Sequence, residues 1–126
     1  MIELVIQPKG SSICGHCCVA MITGKPLETV IKVIGHQHGT RTKEIHKAFG
    51  AFGIKTPPKL TRFTNHSGLP SLGVVKITYD WRKSSGHWMV IEYPVCYCPS
   101  GSILHWTEYL GKSPKGRLTS FLTITP

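Results

Sequence analysis

Apolar positions divide the chain into two stretches of different period. Ile2 to Ile6 is an apolar run that stops at Gln7-Pro8 and predicts a short strand. A second run starts at Cys14 and continues through Cys17, Cys18, Val19, Ala20, Met21 and Ile22. It predicts a buried helix to about Thr23, where Gly24-Lys25-Pro26 breaks it. Pro26 suits the first turn of a second helix, with Leu27, Val30, Ile31, Val33 and Ile34 at mixed helical spacing and Gly35 closing it. His36-Gln37-His38-Gly39 reads as a polar loop. Thr42 then caps a third helix with Ile45, Ala48 and Phe49 on its inner face, ended by Gly50 and Gly53.

Beyond that point the pattern shortens. Ile54 to Leu60 is interrupted by Pro57-Pro58 and reads as extended or edge-like, and Thr61 to Pro70 as a loop. Leu72 to Tyr79, Trp88 to Tyr93, Val95 to Tyr97 and Leu118 to Ile124 read as strands. Asp80 to Gly86 reads as a polar, basic turn, and Ser102 to Leu110 as a short helix or turn. Helices first and strands after predict an α+β fold, with N-terminal helices packed on a C-terminal antiparallel sheet. The chain has no repeats, no low-complexity segment and no linker long enough to divide it, so one domain over residues 1–126 is expected.

The start of the first helix carries the candidate chemistry. A cysteine there meets unpaired backbone N–H groups and the positive end of the helix dipole, which is expected to lower its pKa and make Cys14 a nucleophile. Gln7 lies seven residues upstream, and its amide can serve with the Cys14 N–H as an oxyanion hole. The thiol needs a base, and His87 is the best candidate. Gly86 places it at the mouth of a strand, and the apolar run from Trp88 to Ile91 anchors that strand.

Gln7, Cys14-Gly15 with a helix behind it, and Gly86-His87-Trp88-Met89-Val90 together resemble a papain-like cysteine peptidase. They most resemble the branch containing the double-glycine leader peptidases of bacteriocin exporters. Gly39 to Ile45, leading into Phe49 to Ile54, is similar to that family's second helical segment and its closing glycine turn. The resemblance implies a papain-like domain with Cys14 as nucleophile, His87 as base and Gln7 as oxyanion donor. It also implies cleavage of a peptide or isopeptide bond after small residues such as Gly-Gly, and no cofactor. The family places an Asp or Asn on the strand after the histidine, to orient the imidazole. Here Cys98 stands at that place, and strand alternation points Glu92 to the opposite face. A Cys–His dyad, another acceptor, or impaired catalysis are the alternatives this departure leaves.

Composition modifies this picture in three ways. The net charge of +9, from 15 basic and 6 acidic residues, favours an acidic peptide or protein partner. The basic residues are scattered without a block of five, so nucleic acid is not the expected partner. Five cysteines, an odd count, and no signal-like start favour reduced thiols in a cytoplasmic setting, and no run reaches the ~18 apolar residues of a membrane span. Two other functions use the same features. One is a papain-like binding module, catalytically impaired, for an acidic protein. The other is a zinc-stabilised nucleic-acid binder, with Cys14/Cys17, Cys96/Cys98 and His36/His38 as ligands; the spacing is imperfect, and no metal site is expected. Cys17, Cys18, Trp88 and Trp106 are expected to be packing residues, and His16, His46, His66 and His105 packing or surface residues.

Overall fold

Three helices lie against one face of a six-stranded antiparallel sheet in the computed structural model, which describes residues 2–64, 68–79, 86–111 and 116–125. The helices are α1 (Cys14–Thr23), α2 (Leu27–Ile34) and α3 (Thr42–Ala51). The strands are β1 (Thr61–Arg62), β2 (Leu72–Thr78), β3 (His87–Glu92), β4 (Val95–Cys98), β5 (Ser102–His105) and β6 (Arg117–Thr123), in spatial order β1-β6-β2-β3-β4-β5. A 3₁₀ turn, Trp106–Tyr109, follows β5. The fold class is α+β, with the helices before the strands.

Local sequence sets the helix boundaries. α1 and α2 stop at Gly24 and Gly35, whose N–H groups bond back to the carbonyls of Ala20 and Ile31 and satisfy the last turns. At the start of α3 the Glu44 carboxylate reaches back to the Arg41 N–H at 3.0 Å. Thr42 is therefore the first helical residue rather than the cap, and the helix runs through Gly50 to Ala51.

Both faces of the central strands are covered. Val74, Trp88, Val90 and Leu122 face the helices, where Cys17, Cys18, Val19, Ile45 and Phe49 meet them. Val75, Ile77, Met89, Ile91, Cys96 and Phe121 face the opposite side, against Tyr109, Trp106, Phe63 and Leu69. Strands buried twice need apolar residues at successive positions, which accounts for Val74-Val75 in β2 and the run Trp88 to Ile91 in β3. Cys17, Cys18 and Trp88 are buried packing residues, as their sequence setting indicates, and Trp106 is half-buried.

Three expectations about elements are corrected. Ile2 to Ile6 joins no strand. Ile2, Leu4 and Val5 pack against the helical core, while the sheet edges are occupied by β1 and β5. The stretch after Leu60 is not all loop, because Thr61 and Arg62 pair with Phe121 and Ser120. Ser102 to Leu110 opens with a strand, because the turn Pro99-Ser100-Gly101 folds β5 back onto β4. Most of the turn expected at Asp80 to Gly86 lies outside the described residues. No helix among the described residues is long and apolar enough to cross a membrane.

Candidate functional site

Cys14 is the first residue of α1 and is half-buried. The next residue has no room for a side chain. A Cβ on Gly15 would lie 1.9 Å from Thr40 Oγ1 and 3.2 Å from Trp88 Cδ1. The segment Gly39 to Thr42 therefore presses directly on the helix start and forms one wall of a cleft beside Cys14. That wall is tied to the sheet by Trp88, whose Nε1–H donates to the Thr40 carbonyl at 3.1 Å. Thr40 Oγ1 is itself buried without a hydrogen-bond partner.

His87 opens β3, paired with Ile77 of β2. Gly86 before it lies close to β2: a Cβ there would lie 2.6 Å from Lys76 Cε and 3.2 Å from the Ile77 carbonyl oxygen, displacing the lysine stem. Behind the ring, His87 Nε2 lies 3.2 Å from Cys98 Sγ. The same sulfur lies 2.7 Å from Ser100 Oγ. Cys98 ends β4 and is buried. With the proton on Nε2, the imidazole donates to sulfur and carries its lone pair on Nδ1. The structure thus brings the Cys98 thiol against the histidine ring, and Ser100, which the sequence did not single out, joins it.

Gln7 reaches the cleft from the unpaired N-terminal segment. Its backbone N–H donates to the Pro99 carbonyl at 2.8 Å, in the turn that follows Cys98. Its Oε1 is buried with no hydrogen-bond partner. Rotation about the last side-chain bond exchanges that oxygen with the amide N–H₂. Gln7, Cys14 and His87 line a single cleft of about 570 Å³, together with Thr40, Arg41 and Lys76. Three parts of the chain converge there: the N-terminal segment, the start of α1 and the start of β3.

The electrostatics of Cys14 differ from the expectation. Burial pushes its thiol above the ordinary value. Backbone N–H groups of Trp88, Gly15 and Cys14 itself pull the other way, and the nearby Cys98 adds to the rise. The helix-start effect is present, but desolvation outweighs it. Burial raises the other core thiols further, Cys17 and Cys96 to about 12, and Cys18 well above its usual value. They are held protonated in the packed interior. None of the five cysteines is in a disulfide, and Cys14 alone lines the cleft.

A polar network behind the cleft wall was not evident from sequence. His16, fully buried in α1, donates from Nε2 to the His36 carbonyl at 2.7 Å. The His36 Nε2–H donates in turn to the Glu44 carboxylate. Burial lowers the pKa of His16, and the His36 hydrogen bond lowers that of Glu44. Helices α1 and α3 therefore hold the loop that leads into the wall from both sides. The available signal was the place of His16, two residues past Cys14 on an otherwise apolar helix.

The proposed zinc ligands are dispersed. Cys17 lies in the cluster on the helical side of the sheet, and Cys96 and Cys98 lie in the cluster on the other side. His36 and His38 stack on each other 4.7 Å apart. Among the described residues no group of three or more His, Cys, Asp or Glu could hold a metal ion. No family model matches this chain, and no curated protein matches it.

Proposed function

We propose that this chain is a thiol hydrolase of papain-like arrangement that cleaves a peptide or isopeptide bond. The observation that carries the reading is the shared cleft: Cys14, His87 and Gln7 open on it, with the imidazole backed by Cys98. Its resemblance to double-glycine leader peptidases adds the expectation of small residues, such as Gly-Gly, before the scissile bond.

The chemistry follows from these groups. His87 takes the proton of Cys14, and the thiolate attacks the substrate carbonyl carbon. The carbonyl electron pair moves to oxygen, where the Gln7 amide and the Cys14 N–H stabilise it. The tetrahedral adduct collapses, the C–N bond breaks, and the amine leaves with the proton from His87. Water then attacks the thioester, giving its proton to His87, and the acid product leaves as the thiol is restored. Burial raises the Cys14 thiol, so it rests protonated and His87 draws off its proton as the electrophile arrives.

Iodoacetamide labelling of Cys14 near neutral pH tests the pair. His87→Ala is expected to slow labelling by about tenfold or more, below the about 100-fold or greater contribution of acid–base catalysis to turnover. Equal rates in the two proteins would overturn the reading. A thiol in place of a carboxylate at position 98 favours one second reading, a papain-like module that binds an acidic protein without cleaving it. A folded protein that turns over no peptide but retains tight binding to such a partner would select it.

A further inference from the structure

The cleft wall and floor carry an asymmetry of charge. Among the described residues lining the cleft, Arg41 and Lys76 are cationic and none is acidic. Lys76 is half-buried and held in place: its stem runs past Gly86, and its Nζ sits 5.8 Å from the Trp88 ring centroid. That packing fixes a positive charge on the His87 side of the cleft. Arg41, exposed at the N-terminal end of α3, lines the part of the cleft formed by Gly39 to Thr42. Glu44, three residues on, bonds the Arg41 backbone N–H with one oxygen and His36 with the other, and it also feels the Arg41 charge. Among the described residues neither cation forms a salt bridge. Two cations lining one cleft, Lys76 half-buried and Arg41 exposed, attract an anion more strongly than either charge alone.

We propose that this cleft selects a substrate carrying a carboxylate close to the scissile bond, held between Arg41 and Lys76. The proposal rests on the thiol-hydrolase reading for its substrate, but not for the anion preference itself. A side-chain carboxylate of Asp or Glu and the carboxylate of a chain end offer the same chemistry. Recognition is by charge at Lys76 and by a bidentate fork at Arg41.

Two measurements test it. The first needs no turnover: Cys14 is alkylated with anionic iodoacetate and with neutral iodoacetamide at low salt, and the labelled site is mapped. The ratio of the two rates is expected to fall about threefold to tenfold in the double variant Arg41→Gln/Lys76→Met, which keeps the aliphatic contact with Trp88. It is expected to fall likewise for the native protein in about 1 M salt, where screening acts within about 3 Å. An unchanged ratio in the double variant overturns the proposal, even if His87→Ala shows the thiol–imidazole pair to be active. The second compares C-terminally amidated peptides with Glu or Gln beside Gly-Gly, and their free-acid forms. A roughly tenfold preference for Glu, expressed in KM and lost in the double variant, supports a side-chain carboxylate. A preference for the free acid supports a chain end, and equal cleavage of all forms overturns the proposal. If no peptide is cleaved and His87→Ala labels as fast as the native protein, the hydrolase reading fails, and the alkylation ratio still decides whether the cleft is an anion site.

Discussion

Cys98 Sγ lies 3.2 Å from His87 Nε2, on the side of the ring reached from β4. Ser100 Oγ, 2.7 Å from the same sulfur, supplies it with a second polar neighbour. A neutral thiol is a weaker acceptor than a carboxylate, and it does less to stabilise an imidazolium. The sulfur that meets the ring is buried at the end of β4, and the hydroxyl beside it comes from exposed Ser100 in the turn that follows.

That arrangement predicts opposite effects for two substitutions. Cys98→Ala should lower kcat/KM about 10- to 100-fold, the range found when a group orienting a functional histidine is lost. Cys98→Asp should exceed the alanine variant, and should move the acid limb of the pH–rate profile upward as an ionised carboxylate favours imidazolium. A role in packing alone would leave that limb unmoved, so identical profiles for Asp and Ala would sink the positioning role.

The close approach of Gly15 to Thr40 gives a second prediction. Gly15→Ala forces a Cβ into Thr40 Oγ1 and should destabilise the fold by about 1–3 kcal/mol, the cost of overpacking a filled site. Thr40→Ala removes an oxygen that has no partner and should cost little by itself. The double variant should recover part of the loss, since Thr40 Cβ and Trp88 Cδ1 still stand 3.2 Å away. Urea denaturation of the four proteins measures the coupling, and strict additivity would contradict the contact.

The network behind the wall predicts acid lability. The folded pKa of His16 lies below its usual 6.5, so its contribution is complete above that value and is lost as pH falls through the depressed one. Glu44 behaves in the same sense from its usual 4.5 downward. Melting temperature should therefore decline in two stages on acidification. Glu44→Gln should abolish the lower stage, and His16→Gln, which keeps an N–H donor for the His36 carbonyl, should abolish the upper one. A profile flat from neutral to acid pH would refute both assignments.

The helices were legible because punctuation is local. Gly24, Pro26 and Gly35 bound α1 and α2 whatever the rest of the chain does. The hairpin of β3 and β4 was legible from its apolar runs about Tyr93-Pro94. What escaped depends on distant partners. Ile2 to Ile6 has strand-like composition, but strands exist only in pairs, and the sheet has no free place beside it. β5 is a short edge strand with Ile103 exposed, so its alternation carries no burial signal. The nucleophile candidate was found by its helix start, but the sign of its pKa shift depends on how deeply the wall covers it. No local pattern reports that depth. His16 and Glu44 were missed for the same reason, since their partner is a loop that folds back between them.

One amide-to-carbonyl link, Gln7 to Pro99, aligns the N-terminal ribbon with the turn that follows Cys98. That link contributes about 1 kcal/mol net, and the packing of Ile2, Leu4 and Val5 on the helical core adds to it. In the proposed mechanism this ribbon supplies the oxyanion donor, so weakening its seat would lower turnover while leaving the labelling of Cys14 in place.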